Sequence, residues 1–492
     1  VFFTLDDAYI HLALAERVAH GFYGINSGEF ASPSSSIVYP LLLAPLARAG
    51  FGELSALTLN IGAGFGILFV WRRLFSRFGF DVARWENAAL ALLATFAVNG
   101  VALAFTGMEH TLHVLCTLLT VLALVDVVED RPTPWFLHAA VVAGALLRYE
   151  GAAVAGAAAL VLILYGRWRQ AVLLISVVAV FYGGFSLFLH ALGLPFLPNS
   201  VLAKSDSALV AMRQLGGKAF FHSLASHVVR YFSLAHALMA TMALYAGIVA
   251  YRRRSEPGWQ SRLGLILFGS IVLAVHFVAF RSGWFFRYEP YAVSVLLSCI
   301  GYVLFSGGAS PLGFPGRNGQ AAWAGMTVCL VVFMVFYSAA VFRAPGGARN
   351  IYEQQYQMHR FATEFWHAPV AVNDVGWVAY RNPDYVLDIA GLATPQAALE
   401  PLRSGRTKGY GDFIAAHHIG LAMIYKPLEF LIGSRMEIAR LHLGGRRVTA
   451  AGDTVSFYVT DEAYRDRAEA ALNEFAKTLP VGVTLERLPS PN

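Results

Sequence analysis

The sequence predicts a polytopic α-helical membrane protein with a C-terminal soluble α/β domain. Three observations predict this. The 492 residues are 57% hydrophobic and only 14% charged, with a mean hydropathy of +0.54, whereas a soluble chain carries about 25% charged residues. Apolar runs close to the ~20 residues that cross a bilayer recur through the first two thirds of the chain. Past residue 343 the apolar runs shorten, charge rises, and strand-like stretches alternate with helix-like ones. The expected division is a membrane domain over 1–343 and a soluble domain over 344–492.

Residues 1–54 do not read as a plain span. The chain opens in an apolar run, Val1-Phe2-Phe3, with no leader pattern, so a first span is expected to end where this sequence starts. His11 to His20 reads as an amphipathic helix, closed by Gly21 and Gly24. Ser32-Pro33-Ser34-Ser35-Ser36 reads as a turn-rich loop. Ile37 to Leu46 is apolar but too short to cross and holds Pro40 and Pro45, which suits an interfacial or re-entrant helix. Ten spans follow, near 55–71, 86–105, 109–127, 134–147, 151–166, 170–193, 231–251, 263–280, 289–306 and 321–342. In the last third, Asn350 to Trp366 reads as a helix. Val370–Val372, Tyr385–Leu387 and Leu421–Tyr425 read as strands, and Glu462 to Ala476 as a closing amphipathic helix.

The net charge of +6 raises the question of nucleic acid. The arginines sit in short loops between apolar runs, where they set topology instead. With residues 1–54 outside, the inner turns carry Arg72, Arg73, Arg77 and Arg84, then Arg131, Arg167 and Arg169, Arg252 to Arg254, Arg262 and Arg317. The outer side then receives the long loop 194–230, the segment Arg281–Tyr291 and the soluble domain. Cys116, Cys299 and Cys329 all lie in apolar runs and read as small core residues. No Cys/His cluster has metal-ligand spacing, and no cofactor is implied; a divalent ion on paired aspartates stays open.

The adjacent carboxylates Asp6 and Asp7 lead the candidate site. An acidic pair on the outer face suits a general base that meets a hydroxyl at the membrane surface. A helix cap explains the same residues more blandly. Arg148, Lys204 and Arg287 fall on the outer face, where the positive-inside rule disfavours them. A lipid phosphate would explain three such cations; snorkelling, or ion pairs with Glu150 and Glu289, would also do so. Glu109 and His110 open a span on that face and form an ionisable pair at its mouth. His11, Glu109, His110, Glu150, Tyr288 and Glu289 are the candidate sugar or acceptor contacts. The aromatic segment Trp284, Phe285, Phe286, Tyr288 and Tyr291 reads first as an interfacial belt, with sugar stacking as the other use of such rings. Asn373-Asp374-Val375-Gly376 and Asp388-Ile389-Ala390-Gly391-Leu392 read as two strand ends with glycine turns, lacking a nucleotide-binding glycine pattern.

Several of these motifs occur together in one known group. Asp6-Asp7-Ala8-Tyr9-Ile10, Gly24, Asn26, Gly28-Glu29 and the serine run before an apolar helix resemble the first outer loop of the GT-C membrane glycosyltransferases. Within that superfamily they are most similar to the mycobacterial terminal arabinofuranosyltransferases and their bacterial relatives. Gly107-Met108-Glu109, Arg148-Tyr149-Glu150, Pro198-Asn199 with Lys204, and Asn373 to Gly376 with Asp388 follow in the expected order, over residues 1–395. The resemblance implies a GT-C-like fold in the bacterial cytoplasmic membrane and an inverting transferase. Its donor would be a polyprenyl-phosphate sugar, and its acceptor a cell-envelope glycan or glycolipid. Asp6 is then the first candidate for the base and Asp7 the second. In place of the group's Tyr-Thr-Ser/Asn-Pro stretch this chain has serines, so the resemblance does not extend to the identity of the sugar. Two other classes compete: a lipid or sugar transporter, which would need charges along a path through the bilayer, and a non-catalytic assembly protein whose outer domain binds polysaccharide.

Overall fold

The computed structural model describes residues 1–80, 85–202, 233–280, 282–305, 317–394, 410–433 and 435–489. A helical bundle fills most of it, and a six-stranded sheet closes the C-terminal end. Helices α1 (Asp7–Ala19), α2 (Tyr39–Arg48) and α3 (Glu53–Arg77) come first. The expected helix from His11 therefore starts a turn earlier. Pro40 sits in the first turn of α2, where its missing N–H costs nothing, and Pro45 lies inside the helix.

Among the described residues six helices are long and apolar enough to cross a membrane: α3, α6 (His110–Val128), α9 (Trp168–Ala191), Leu234–Arg252, Trp259–Ala279, and the helix that continues from Trp323 toward Trp366. Four shorter apolar helices fill the other expected spans. The expected 86–105 span is broken: α4 (Trp85–Ala97) and α5 (Gly100–Ala104) are separated at Asn99, which takes a left-handed conformation with φ 56°. Helices α7 (Phe136–Leu147) and α8 (Gly151–Leu164) have 12 and 14 residues. At 1.5 Å per residue they reach only about 18 and 21 Å, against about 30 Å of hydrocarbon. The turn between them is drawn into the bundle, which buries Arg148. The helix Pro290–Phe305 is buried along its whole length and forms the centre of the bundle.

Sequence suggests one helix over 321–342 and another over 350–366. The structure has a single helix from Arg317 to Glu353, followed by Gln355–Arg360 and a π-helical turn over Phe361–Trp366. Pro345, Gly346 and Gly347 sit inside it, and the two glycines receive a loop of the sheet domain: a Cβ on Gly347 would lie 3.1 Å from Thr449 and 3.2 Å from Thr4.

The sheet runs β2 (Val386–Asp388), β1 (Val370–Val372), β3 (Leu421–Ile424), β5 (Thr454–Val459), β4 (Met436–His442), β6 (Thr484–Arg487). β2, β1 and β3 are parallel, with Val372 level with Asp388 and Met423; the other pairs are antiparallel. All residues of β1, β2 and β3 are buried, as suits parallel strands covered on both faces. The carboxyl ends of these three strands carry Asp374, Asp388 and Tyr425, the usual side for a site on a parallel sheet.

The two ends of the bundle differ. At one end Arg77 and Arg131 pair with Asp126, Arg131 also pairs with Glu129, and Arg167 bonds Thr133. At the other end lie the starts of α1, α6, α8 and Pro290–Phe305; there α1 packs against the short helix Val375–Ala379 of the sheet domain, and the candidate residues gather.

Candidate functional site

Asp6 and Asp7 start α1 and, one residue apart on a helix, face different neighbours. Both oxygens of Asp6 accept backbone N–H groups: Gly376 at 2.8 Å and Trp377 at 2.9 Å. Asp6 thus caps the short helix Val375–Ala379 from across the molecule. Gly376 is a glycine because a Cβ there would lie 2.7 Å from the Asp6 carboxylate. Burial, then the neighbouring Asp374 charge, pushes the Asp6 carboxyl well above the usual carboxylate range, against the pull of the two amides. Asp374 is raised for the same first reason, while Gln355 (2.7 Å), Tyr425 (2.8 Å) and Asn373 (2.9 Å) donate hydrogen bonds to it.

Asp7 points the other way. Its carboxylate meets the Arg287 guanidinium at 2.6 Å. Both line a cavity of about 270 Å³, together with His11, Ser35, Arg148 and Tyr288. Met108, Ser200, Trp284 and Leu392 complete much of its wall. The cavity therefore takes residues from the first loop, three turns of the bundle and the sheet domain.

Arg148 lies 5% exposed beneath this cavity. Its Nε and Nη2 donate to Glu150 at 3.1 and 2.6 Å, and Nη1 donates to Glu109 at 2.8 Å. Glu109 is fully buried, accepts from Ser35 Oγ at 2.8 Å and lies 3.2 Å from His11 Nε2. His11 Nδ1 meets Ser34 Oγ at 3.1 Å. Two carboxylates thus balance Arg148, and the serine run fixes its partners. A guanidinium has five N–H groups, and the three bonds above use three of them, so donors remain to turn toward the cavity.

Arg287 pairs with Asp7, not with Glu289. Its Nη2 also donates to Tyr288 Oη at 2.8 Å and its Nη1 to Met108 Sδ at 3.1 Å. Tyr288 lies under both guanidinium groups, 5.7 Å from Arg148 and 4.9 Å from Arg287. Glu289 instead accepts the Gly283 N–H at 2.9 Å and holds the loop that presents Arg287. His110 is buried, and among the described residues neither of its ring nitrogens has a hydrogen-bond partner; it packs against Tyr288 at 5.9 Å. Lys204 lies outside the described residues. Ser200, four residues before it, lines the cavity and donates to the Ser34 carbonyl at 2.8 Å.

Sequence reasoning did not name Ser35, Ser200, Met108 or Leu392 as lining residues. Ser35 and Leu392 lie in motifs it did single out, so position in those motifs was the available signal; Ser200 and Met108 flank Asn199 and Glu109 in the same way. No group of three His, Cys, Asp or Glu side chains suited to a metal ion occurs among the described residues.

Comparison with known proteins bears on one part of the chain. Residues 349–458 match a family described as "Domain of unknown function (DUF8728)". That stretch runs from the end of the long helix into β5 and includes the Asp6-binding turn. No curated protein and no solved structure matches the chain.

Proposed function

We propose that this chain is an inverting glycosyltransferase of the bacterial cytoplasmic membrane. It moves a sugar, with arabinofuranose the first to test, from a polyprenyl-phosphate donor to a cell-envelope glycan or glycolipid acceptor on the outer face. The observation that carries this reading is the Asp7–Arg287 pair on the wall of a cavity shared with Arg148. A carboxylate and two fixed cations around one space match the needs of the reaction: a base for the acceptor hydroxyl and positive charge for a departing phosphate. The resemblance of the first loop to GT-C enzymes adds support, and the arginine-rich end opposite the cavity suits the cytoplasmic side.

In the proposed reaction, Asp7 takes the proton of the acceptor hydroxyl. The hydroxyl oxygen attacks the anomeric carbon in line, the bond from that carbon to the phosphate oxygen breaks, and configuration inverts. Polyprenyl phosphate leaves with the bonding electrons, its charge held by Arg287 and the free donors of Arg148; Lys204 is proposed to join them. The base is assigned to Asp7 because both oxygens of Asp6 are already occupied by backbone amides. Before donor arrives, Arg287 neutralises Asp7; an incoming phosphate competes for that guanidinium and releases the carboxylate. His11, Glu109 and Glu150 hold Arg148 in place, and Tyr288 supports both cations.

The test is transfer by purified protein from a polyprenyl-phosphate pentose or hexose to a glycan acceptor. Asp7→Asn is expected to lower kcat by about 10²-fold or more, the range for loss of a general base, with donor KM changed far less. Full turnover by that variant would overturn the proposal.

A further inference from the structure

We propose that a second groove, beside the catalytic cavity, binds the sugar chain of the acceptor, with Trp284 as its stacking platform. The assignment deepens the transferase reading and rests on it for the word acceptor. The groove, also about 270 Å³, is lined by Trp284, Phe285 and Arg447 with the chain from Val448 to Ala451. Trp284 lines both spaces, so the groove and the cavity that holds Asp7 meet at that residue. One wall belongs to the bundle and the other to the loop between β4 and β5. The second wall is part of the sheet domain and lies outside the spans, which favours a water-soluble ligand over an acyl chain.

Both walls are built rigidly. Gly283 is followed by three residues in the left-handed region: Trp284 at φ 42°, Phe285 at 62° and Phe286 at 54°. A side-chain-bearing residue is strained in this region, and a run of them persists only when its surroundings hold it. Glu289 grips the Gly283 N–H, Asn99 donates to the Phe286 carbonyl at 2.8 Å, and the Phe286 ring packs on Phe336 at 5.0 Å. The result turns the Trp284 indole outward, 55% exposed. On the facing wall, Asn350 Oδ1 accepts the Val448 and Thr449 N–H groups, and Thr449 Oγ1 donates to the Gly347 carbonyl at 3.3 Å. The glycines of the long helix allow that close approach.

The chemistry fits a saccharide. An exposed indole offers an apolar face to the C–H side of a sugar ring. Arg447 is half exposed, bonded to the Ala451 carbonyl at 3.0 Å and 3.9 Å from Asp453, and keeps guanidinium donors for ring hydroxyls. Fixed walls spare the binding site an ordering cost. An acceptor chain laid along the groove would place its terminal hydroxyl past Trp284, in the cavity with Asp7.

The test uses the full native chain in lipid nanodiscs with no donor present. The probes are linear tetrasaccharides of pentofuranose and of hexopyranose units, each beside its monosaccharide. Calorimetry is expected to show one tetrasaccharide binding more tightly than its monosaccharide. Trp284→Ala should weaken it about tenfold, close to the energy of one lost aromatic contact, with Trp284→Phe retaining most of the affinity. Arg447→Ala should weaken it several-fold with an unchanged Tm. The proposal is overturned if neither tetrasaccharide binds, if Arg447→Ala and Trp284→Ala leave affinity unchanged, or if brominated lipid quenches Trp284, which would put the indole in the bilayer. Groove-dependent binding in a protein that transfers nothing would refute the transferase reading and keep a glycan site. Transfer that ignores both substitutions would refute the groove alone.

Discussion

Successive helical residues point about 100° apart, so two adjacent aspartates at the head of α1 serve two places. Asp7 turns to Arg287 and the cavity, and Asp6 turns to the amides of Gly376 and Trp377. The acidic pair was legible in the sequence as a pair; its division of labour was not. The residue that decides it, Gly376, lies 370 positions away, and no local pattern links the two. The same holds for Arg148, whose sequence neighbour Glu150 was named as a partner while Ser35 and His11 on Glu109 were not. Asp6 and Asp374 also yield a pH prediction. Both carboxyls are raised in the folded protein, and burial lifts Asp388 to about 6 although three backbone amides bond it. An unfolded Asp titrates near 3.9. Between that value and the raised ones these carboxyls hold more protons in the folded state, so their own contribution to stability falls as pH rises through the window and levels off above it. The Tm of Asp374→Asn relative to the native chain is therefore expected to rise from about pH 4 to about pH 7. A difference that stays constant or falls over that range would contradict the assignment.

Among elements, the α7–α8 hairpin shows how packing at one atom positions the site. A Cβ on Gly151 would lie 2.5 Å from the Gly144 carbonyl oxygen and 2.7 Å from the Ala145 Cα. The two short helices touch through that glycine, and the turn between them carries Arg148 and Glu150. Gly151→Ala gains up to about 1 kcal/mol of helix propensity, yet the overpacking costs about 1–3 kcal/mol. The net expectation is a lower Tm and weaker donor binding, measured by thermal melting in detergent and by donor KM. The apolar helices were readable because hydropathy alone marks them. β1, β2 and β3 were readable as short continuous apolar runs. β5, Thr454-Val455-Ser456-Phe457-Tyr458-Val459, is a β-branched and aromatic run whose strand character was also readable but was not singled out. β4 and β6 have charged residues on partly exposed faces, so their strand character comes from pairing with neighbours and not from an apolar run.

At the scale of the molecule, the sheet domain is bolted to the first loop. Asn26 donates to the Val386 carbonyl at 3.0 Å and accepts its N–H at 2.9 Å, completing the edge of β2. Asn199 reaches the Leu392 and Thr394 carbonyls at 3.1 and 3.2 Å, and Ile10 and Ile25 pack into the apolar core of the sheet domain. Asn26→Ala removes two buried bonds and is expected to lower stability by about 1–3 kcal/mol. Limited proteolysis should then release the segment after residue 353 faster than in the native chain, while the surface pair Glu16–Arg381 contributes under about 1 kcal/mol. A division at 343/344 was expected from composition, but composition does not reveal that one helix passes through it.

That unbroken helix, Arg317–Glu353, is about 55 Å long at 1.5 Å per residue. Its lower part is apolar enough to sit in lipid, and its upper part grips the β4–β5 loop through Asn350. One rigid element thus begins among the apolar helices and ends in the sheet domain, so any tilt the bilayer imposes on its apolar part is carried to the β4–β5 loop as well.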